Sequence, residues 1–216
     1  MSSRDEILQR LHDRLAGAAT VELPPVPEVW PRENPDQAAM ADRFETELKA
    51  VHGEIIRCAS IEDAQKRLAE LVEQNGWTSL GVMYRPICSD AVKNLDEKIV
   101  RWTKPNWAPT EMAELSAGVV AAEALLADTG SSVIACPTAE DRLLCYLVPA
   151  CVILARKYQL AEHLPAAWES IAQQCAQPNL SGEFVIVTGP SRTSDIEKKL
   201  ILGVHGPKKI FVILIG

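Results

Sequence analysis

Apolar positions along this chain follow two alternating rhythms, and the changes between them outline the elements. Ser3 and Glu6 have capping-box spacing ahead of Ile7, Leu8, Leu11 and Leu15, which predicts a short amphipathic helix ending near Gly17. Pro24, Pro25, Pro27, Pro31 and Pro35 follow, and a stretch so rich in proline reads as an extended linker. Residues 1–35 are therefore expected to form an N-terminal helical extension with its linker, and residues 36–216 the main domain.

Within the main domain a helix begins near Pro35, with Phe44, Leu48 and Val51 on one face. Ile55 to Cys58 reads as a strand, and Ser60 caps a helix carrying Ile61, Ala64, Leu68, Leu71 and Val72 that stops at Asn75-Gly76. Strands are expected at Ser79–Met83, Ile99–Trp102, Ser131–Ala135, Ala150–Leu154, Phe184–Val187 and Ile210–Ile215. Helices are expected at Asp90–Leu95, at Thr110–Leu126, around His163, Trp168 and Ile171, and from Ser194 onward. Strands alternating with helices predict an α/β fold: a mostly parallel sheet covered by helices on both faces. Right-handed crossovers bring the loops after the strands to one edge, where ligands of such folds bind.

Composition narrows the function classes. Hydrophobic residues make up 47% of the 216 and charged residues 24%, enough for an ordinary soluble core. The net charge of −7 argues against a broad nucleic-acid surface, which needs clustered positive charge. The apolar run Leu143–Ala155 is too short to span a bilayer, and Met-Ser-Ser-Arg-Asp-Glu is not a signal peptide. Cys58, Cys88, Cys136, Cys145, Cys151 and Cys175 contain no Cys-x-x-Cys pair, so no metal or iron–sulfur spacing is present. A cytoplasmic, reduced protein is expected.

Candidate chemistry gathers in three places. Phe184 to Thr188 runs into Gly189-Pro190 and then Ser191-Arg192-Thr193-Ser194-Asp195, with Ser194 and Glu197 again at capping-box spacing. A strand, a glycine turn and a fresh helix start suit an oxygen-rich anion, and Arg192 supplies a planar fork for two carboxylate oxygens. The same residues also make an ordinary cap, and Asp195 can satisfy the helix dipole itself. Asp128-Thr129-Gly130-Ser131-Ser132 reads as a turn, or as hydroxyl donors to an oxyanion. His205, beside Gly206, is a candidate acid–base group or a loop histidine bonded to a carbonyl; His12, His52 and His163 read as solvated. Glu111, Glu114, Glu123 and Asp128 read as charge on the surface of the Thr110–Leu126 helix, with a carboxylate base as the alternative. There is no Gly-x-Ser-x-Gly elbow and no Gly-x-Gly-x-x-Gly fingerprint.

Three stretches go further than a generic α/β pattern: Gly118 to Ser131, Gly189-Pro-Ser-Arg-Thr-Ser-Asp-Ile-Glu197, and Gly203-Val-His-Gly-Pro207. In order and spacing they resemble the LUD-domain family, the lactate-utilisation protein C group, over roughly residues 40–216. The resemblance implies a fold like that of the sugar-phosphate isomerase and CoA-transferase superfamily. It also implies a part in oxidising L-lactate to pyruvate beside two iron–sulfur partners, lactate-utilisation proteins A and B. The matching positions are Asp128, Thr129, Gly130, Gly189, Ser191, Arg192, Thr193, Asp195, His205 and Gly206. The family commonly has Glu at the place of Asp128, and a Ser where Tyr146 stands between Arg142 and Leu147-Val148-Pro149.

The expected role is a subunit that binds a small carboxylate or phosphate-bearing ligand and holds no cofactor itself, the iron–sulfur clusters residing in its partners. Two other readings stand beside it: a non-catalytic assembly subunit, and a stand-alone enzyme acting on a sugar phosphate or thioester. Self-association of the chain is left open.

Overall fold

The computed structural model describes residues 3–16, 30–175, 183–194, 200–202 and 206–216. It divides into two units, residues 1–31 and 32–216. In the first, α1 (Ser3–Leu15) carries Asp5 and Glu6 in its first turn and His12 and Arg14 in its last, charges matched to the helix dipole. The expected stop at Gly17 and the prolines at 24, 25 and 27 lie outside the described residues.

The second unit opens with α2 (Gln37–Ala50), capped by Asp36, which accepts the Ala39 N–H at 2.8 Å. Next come β1 (Glu54–Cys58), α3 (Ile61–Asn75), β2 (Leu80–Val82), α4 (Pro86–Val92), β3 (Val100–Trp102) and α5 (Pro109–Ala113). Then follow β4 (Ala117–Ala121), β5 (Ala124–Leu126), β6 (Ser131–Ala135), α6 (Ala139–Tyr146) and β7 (Ala150–Arg156). A 3-10 turn, Lys157–Gln159, leads to β8 (Leu160–Ala161), α7 (Leu164–Cys175) and β9 (Phe184–Val187). Strands β10 (Arg192–Ser194), β11 (Leu200–Leu202) and β12 (Lys209–Ile215) complete the series.

Six strands form one parallel sheet in the order β1-β12-β7-β4-β2-β3. The central strands are apolar on both faces: Val152, Ile153 and Leu154 of β7 and Val212 and Ile213 of β12 are fully buried. Each such side chain contributes about 1.5–3 kcal/mol by leaving water. Helices α3 and α4 pack together, as do α5 and α6. The first pair follows strands that advance toward β3 and the second pair strands that return toward β1, so right-handed crossovers set the pairs on opposite faces. The expected helix-covered, mostly parallel sheet is therefore the architecture observed.

A second, mixed sheet, β8-β5-β6-β9, carries α7 on one side. Alternate residues of its strands face opposite ways. Ala124, Leu126 and Val133 join Ala167 and Ile171 of α7, while Leu125 and Ile134 join the main core.

Four expectations are corrected. The predicted helix over Thr110–Leu126 is a short helix, α5, followed by strands β4 and β5. Every residue of both strands is buried, so no inside–outside alternation marks them as strands. Glu123 consequently sits in a strand connection and not on a helix surface. The helix expected to open at Ser194 is replaced by a strand: β10 pairs antiparallel with β11, Ser194 opposite Leu200. Ser194 ends β10 and Leu200 opens β11, while Glu197 and the rest of residues 195–199 lie outside the described residues. The short helix expected at Asp90–Leu95 instead begins at Pro86, whose fixed φ suits a first helical position. Finally, His163 is not solvated but 4% exposed, and its Nδ1 accepts the Ala166 N–H at 3.1 Å to cap α7.

Candidate functional site

The order of the parallel strands contains one reversal. From β2 the chain steps outward to β3, then returns to β4 on the other side of β2 and continues through β7 to β12. Connections leave β2 and β4 in opposite directions, which opens a crevice beyond their carboxyl ends, the usual ligand position in open parallel sheets. Tyr84 and Arg85 follow β2 there, Ala122 and Glu123 follow β4, and Arg156 ends β7 with Tyr158 and Gln159 just after it.

All of these but Tyr84 line a cavity of about 210 Å³ together with Pro86, Ile87, Asp90 and Ala121. At its centre Arg85 Nη2 donates to Glu123 Oε1 in an ion pair whose side chains are 25% and 9% exposed respectively. Arg85 Nε is buried and has no hydrogen-bond partner among the described residues, so the guanidinium retains an unused donor. Burial pushes the Glu123 carboxyl above its ordinary pKa, against the pull of Arg85 and a hydrogen bond with Gln174. Gln159 fixes the geometry: its Oε1 accepts the Arg156 N–H at 2.7 Å while its Nε2 donates to the Ala122 carbonyl. Arg156 is half-buried and forms no ion pair among the described residues. Two guanidinium groups and one carboxyl of raised proton affinity thus converge on a small hollow. Such a set can hold an anion and exchange a proton with it.

Most of the site residues expected from sequence lie elsewhere, at the amino edge of the large sheet. The Pro207 carbonyl accepts the Ser191 N–H at 2.9 Å, and the Lys208 N–H reaches Pro149 O at 2.8 Å, beside the starts of β12 and β7. Gly206 abuts Ser191, and Gly189 abuts Val51, just ahead of β1. Gly130 (φ +64°) takes a left-handed conformation against α2, where a Cβ would fall 2.3 Å from the Leu48 nitrogen. The intervening strands are five to seven residues long, so this edge is roughly 20 Å from the crevice at about 3.3 Å per residue.

Asp128, Thr129 and Ser131 share a one-way hydroxyl chain. Ser131 donates to Thr129 Oγ1 at 2.8 Å and Thr129 to Asp128 Oδ1 at 3.2 Å, which leaves Thr188 to donate to Ser131 at 2.7 Å. Those protons run toward the Asp128 carboxylate and hold the turn. Arg192 is exposed on β10, and Thr193 and Ser194 continue that strand. Asp195 and His205 lie outside the described residues.

Sequence reasoning pointed to the loops after the strands in general terms but did not name Arg85, Arg156 or Gln159. The available signal was position: each follows an apolar strand run at its carboxyl end. Among the described residues, no group of three or more His, Cys, Asp or Glu side chains is arranged to hold a metal ion. No described helix is long and apolar enough to cross a membrane.

Known proteins with similar sequences or folds agree on one family. The LUD-domain model matches residues 41–215. A lactate utilization protein C from Geobacillus sp. (strain WCH70) is 21% identical over 239 residues, covering 99% of this chain and 95% of that protein. One from Macrococcus caseolyticus is 31% identical over 105 residues, covering 45% of this chain and spanning 43% of that protein's length. The Escherichia coli (strain K12) protein YkgG, itself uncharacterized, is 30% identical over 117 residues, covering 50% of this chain and 51% of that protein. In fold, the chain is similar to a crystal structure of a DUF162 family protein from Deinococcus radiodurans, at 17% identity and a TM-score of 0.61. That match covers 84% of this chain and 99% of the other. With a family model matched across the whole α/β domain, and relatives of the same kind in sequence and fold, the chain belongs to the LUD-domain family.

Proposed function

We propose that this chain serves lactate utilisation as the subunit that binds a small 2-hydroxy or 2-oxo carboxylate in the crevice at the carboxyl ends of β2, β4 and β7. The observation that carries the reading is the Arg85–Glu123 pair at the strand-order reversal, with Arg156 facing the same hollow. Arg156 and Arg85 bind the carboxylate oxygens, a task that suits planar guanidinium groups. Glu123, its proton affinity raised by burial, accepts the hydroxyl proton of the substrate. Oxidation of L-lactate to pyruvate releases two electrons and two protons: the hydroxyl proton goes to Glu123, the Cα proton to solvent, and the two electrons would leave to iron–sulfur partners, lactate-utilisation proteins A and B, in a multi-protein system. The relatives' name, lactate utilization protein C, supports the pathway.

Titration calorimetry with lactate and with pyruvate tests this reading. Arg156→Gln lowers affinity about tenfold or more, the scale of one charge-assisted hydrogen bond, while the thermal midpoint stays in place. Unaltered binding by the variant would refute the carboxylate site. A second reading puts the anion at the amino edge, on Gly189, Ser191 and Arg192, with His205 as acid–base group. The exposure of Arg192 on β10, close in sequence to Ser191, favours it. Under that reading Arg192→Ala, and not Arg156→Gln, removes binding.

A further inference from the structure

The crevice does not end at Arg85. Tyr84, Arg85, Pro86, Ser89 and Trp102 enclose a second hollow of about 230 Å³, and Arg85 and Pro86 line both. Neither hollow alone reaches the roughly 300 Å³ at which sites for drug-sized ligands begin. Sharing Arg85 and Pro86 as walls, the two adjoin, and the two ends of the groove they would form differ in chemistry. The first end presents guanidinium and carboxyl groups. The second presents two aromatic rings, Tyr84 and Trp102, packed edge to face with centroids 5.6 Å apart and planes inclined at 72°.

Tyr84 is 80% exposed, although it directly follows a buried strand and the buried Met83. A large aromatic side chain turned into solvent beside a second ring and a guanidinium forms a stacking platform: Tyr84 offers an open face, and a planar guest parallel to it would meet Trp102 at the same steep inclination. We propose that the groove takes a ligand in which a planar aromatic ring is tethered to an anionic group. The ring stacks on Tyr84 with Trp102 at its edge, and the anion sits on Arg85 in the first hollow. This rests on the reading of that hollow as an anion site and names the ligand class that fills the rest of the groove. Arg85 is the shared wall between the two.

Calorimetry on the full chain compares ringless anions with ring-bearing counterparts: lactate with phenyllactate, and inorganic phosphate with adenosine monophosphate. At least one ring-bearing member should bind about tenfold or more tightly than its ringless partner, the lower range of aromatic stacking gains. Whether phenyllactate or adenosine monophosphate shows the gain identifies the source as an aromatic hydroxy acid or a nucleotide; either supports the proposal. Tyr84→Ala, at an exposed position where folding is readily checked by the thermal midpoint, should bring the ring-bearing ligand down to the affinity of its ringless partner. Lactate binding that depends on Arg156 but gains nothing from a ring overturns the ring subsite and leaves the carboxylate reading standing. A ring gain that survives Tyr84→Ala overturns it by placing the ring elsewhere. Failure of every anion to bind overturns both.

Discussion

Replacing Arg85 by leucine tests the electrostatics of the crevice most directly. Leucine fills much of the arginine's volume but removes the cation that partners Glu123, which is only 9% exposed. Breaking a buried ion pair from one side costs about 3–5 kcal/mol; with Arg85 itself 25% exposed, solvent screening reduces the figure to about 2–3 kcal/mol. For a chain of 216 residues, 1 kcal/mol moves the thermal midpoint by about 2–4 °C, so a drop of roughly 5–10 °C is expected at pH 8. The pH dependence discriminates between causes. Burial already pushes the Glu123 carboxyl up, and Arg85 is the first of the influences pulling it down. Without Arg85 the folded-state pKa rises further above the unfolded value of about 4.3. A carboxyl raised in this way supports the fold fully below its unfolded pKa, and that support is lost as pH rises through the folded pKa. The deficit of Arg85→Leu should therefore be small near pH 4.5 and grow toward pH 8. The double variant with Glu123→Gln should show no such growth. Urea melts across that range provide the measurement; a deficit of equal size at every pH would refute the ion-pair argument and leave lost packing as its cause.

Three further outcomes follow from the packing. Gly130→Ala places a Cβ 2.3 Å from the Leu48 nitrogen at a φ of +64°, so it should cost about 2–4 kcal/mol in a denaturant melt; a smaller loss means α2 moves aside freely. Thr138→Ala removes both the cap on α6 and the hydroxyl donated to Asp141 Oδ2 at 2.8 Å, and should cost about 1–3 kcal/mol. A thermal midpoint unchanged by that substitution would show the cap to be replaced by water. Burial pushes the thiols of Cys88 and Cys151 up to about 12 and that of Cys58 to about 11, so iodoacetamide at pH 8 should leave all three unmodified until denaturant is added. Mass spectrometry finding them alkylated in the native protein would contradict that burial.

What could be read in the sequence depended on how locally each feature is specified. The strands Ile55–Cys58, Phe184–Val187 and Ile210–Ile215 and the Ser60-to-Gly76 helix carry their own signals: β-branched runs, a capping serine, a terminating glycine. The segment Ala117–Leu126 carries none, because small residues buried on both faces have the same pattern in a helix as in a strand. Gly118 becomes intelligible only beside α6, where a Cβ would lie 2.8 Å from the Leu144 carbonyl oxygen. Ser194 illustrates the opposite case, a strong local helix signal at a residue that pairs with a strand six residues away. The crevice escaped notice for a related reason. Arg85, Glu123 and Arg156 are far apart in sequence, and only the order of the strands makes them neighbours.

The Gln159 contacts have a mechanical consequence. Strands β4 and β7 run side by side in the large sheet, and their continuations β5 and β8 run side by side in the small one. The polypeptide passes from the large sheet into the small one twice, at Ala122-Glu123 and at Lys157–Gln159, and Gln159 laces these two passages together. The hollow therefore lies along the crease between two stiff plates. A molecule gripped between Glu123 and Arg156 bridges that crease, and its arrival should slow amide exchange in β5 and β8, the strands that leave it on the far side.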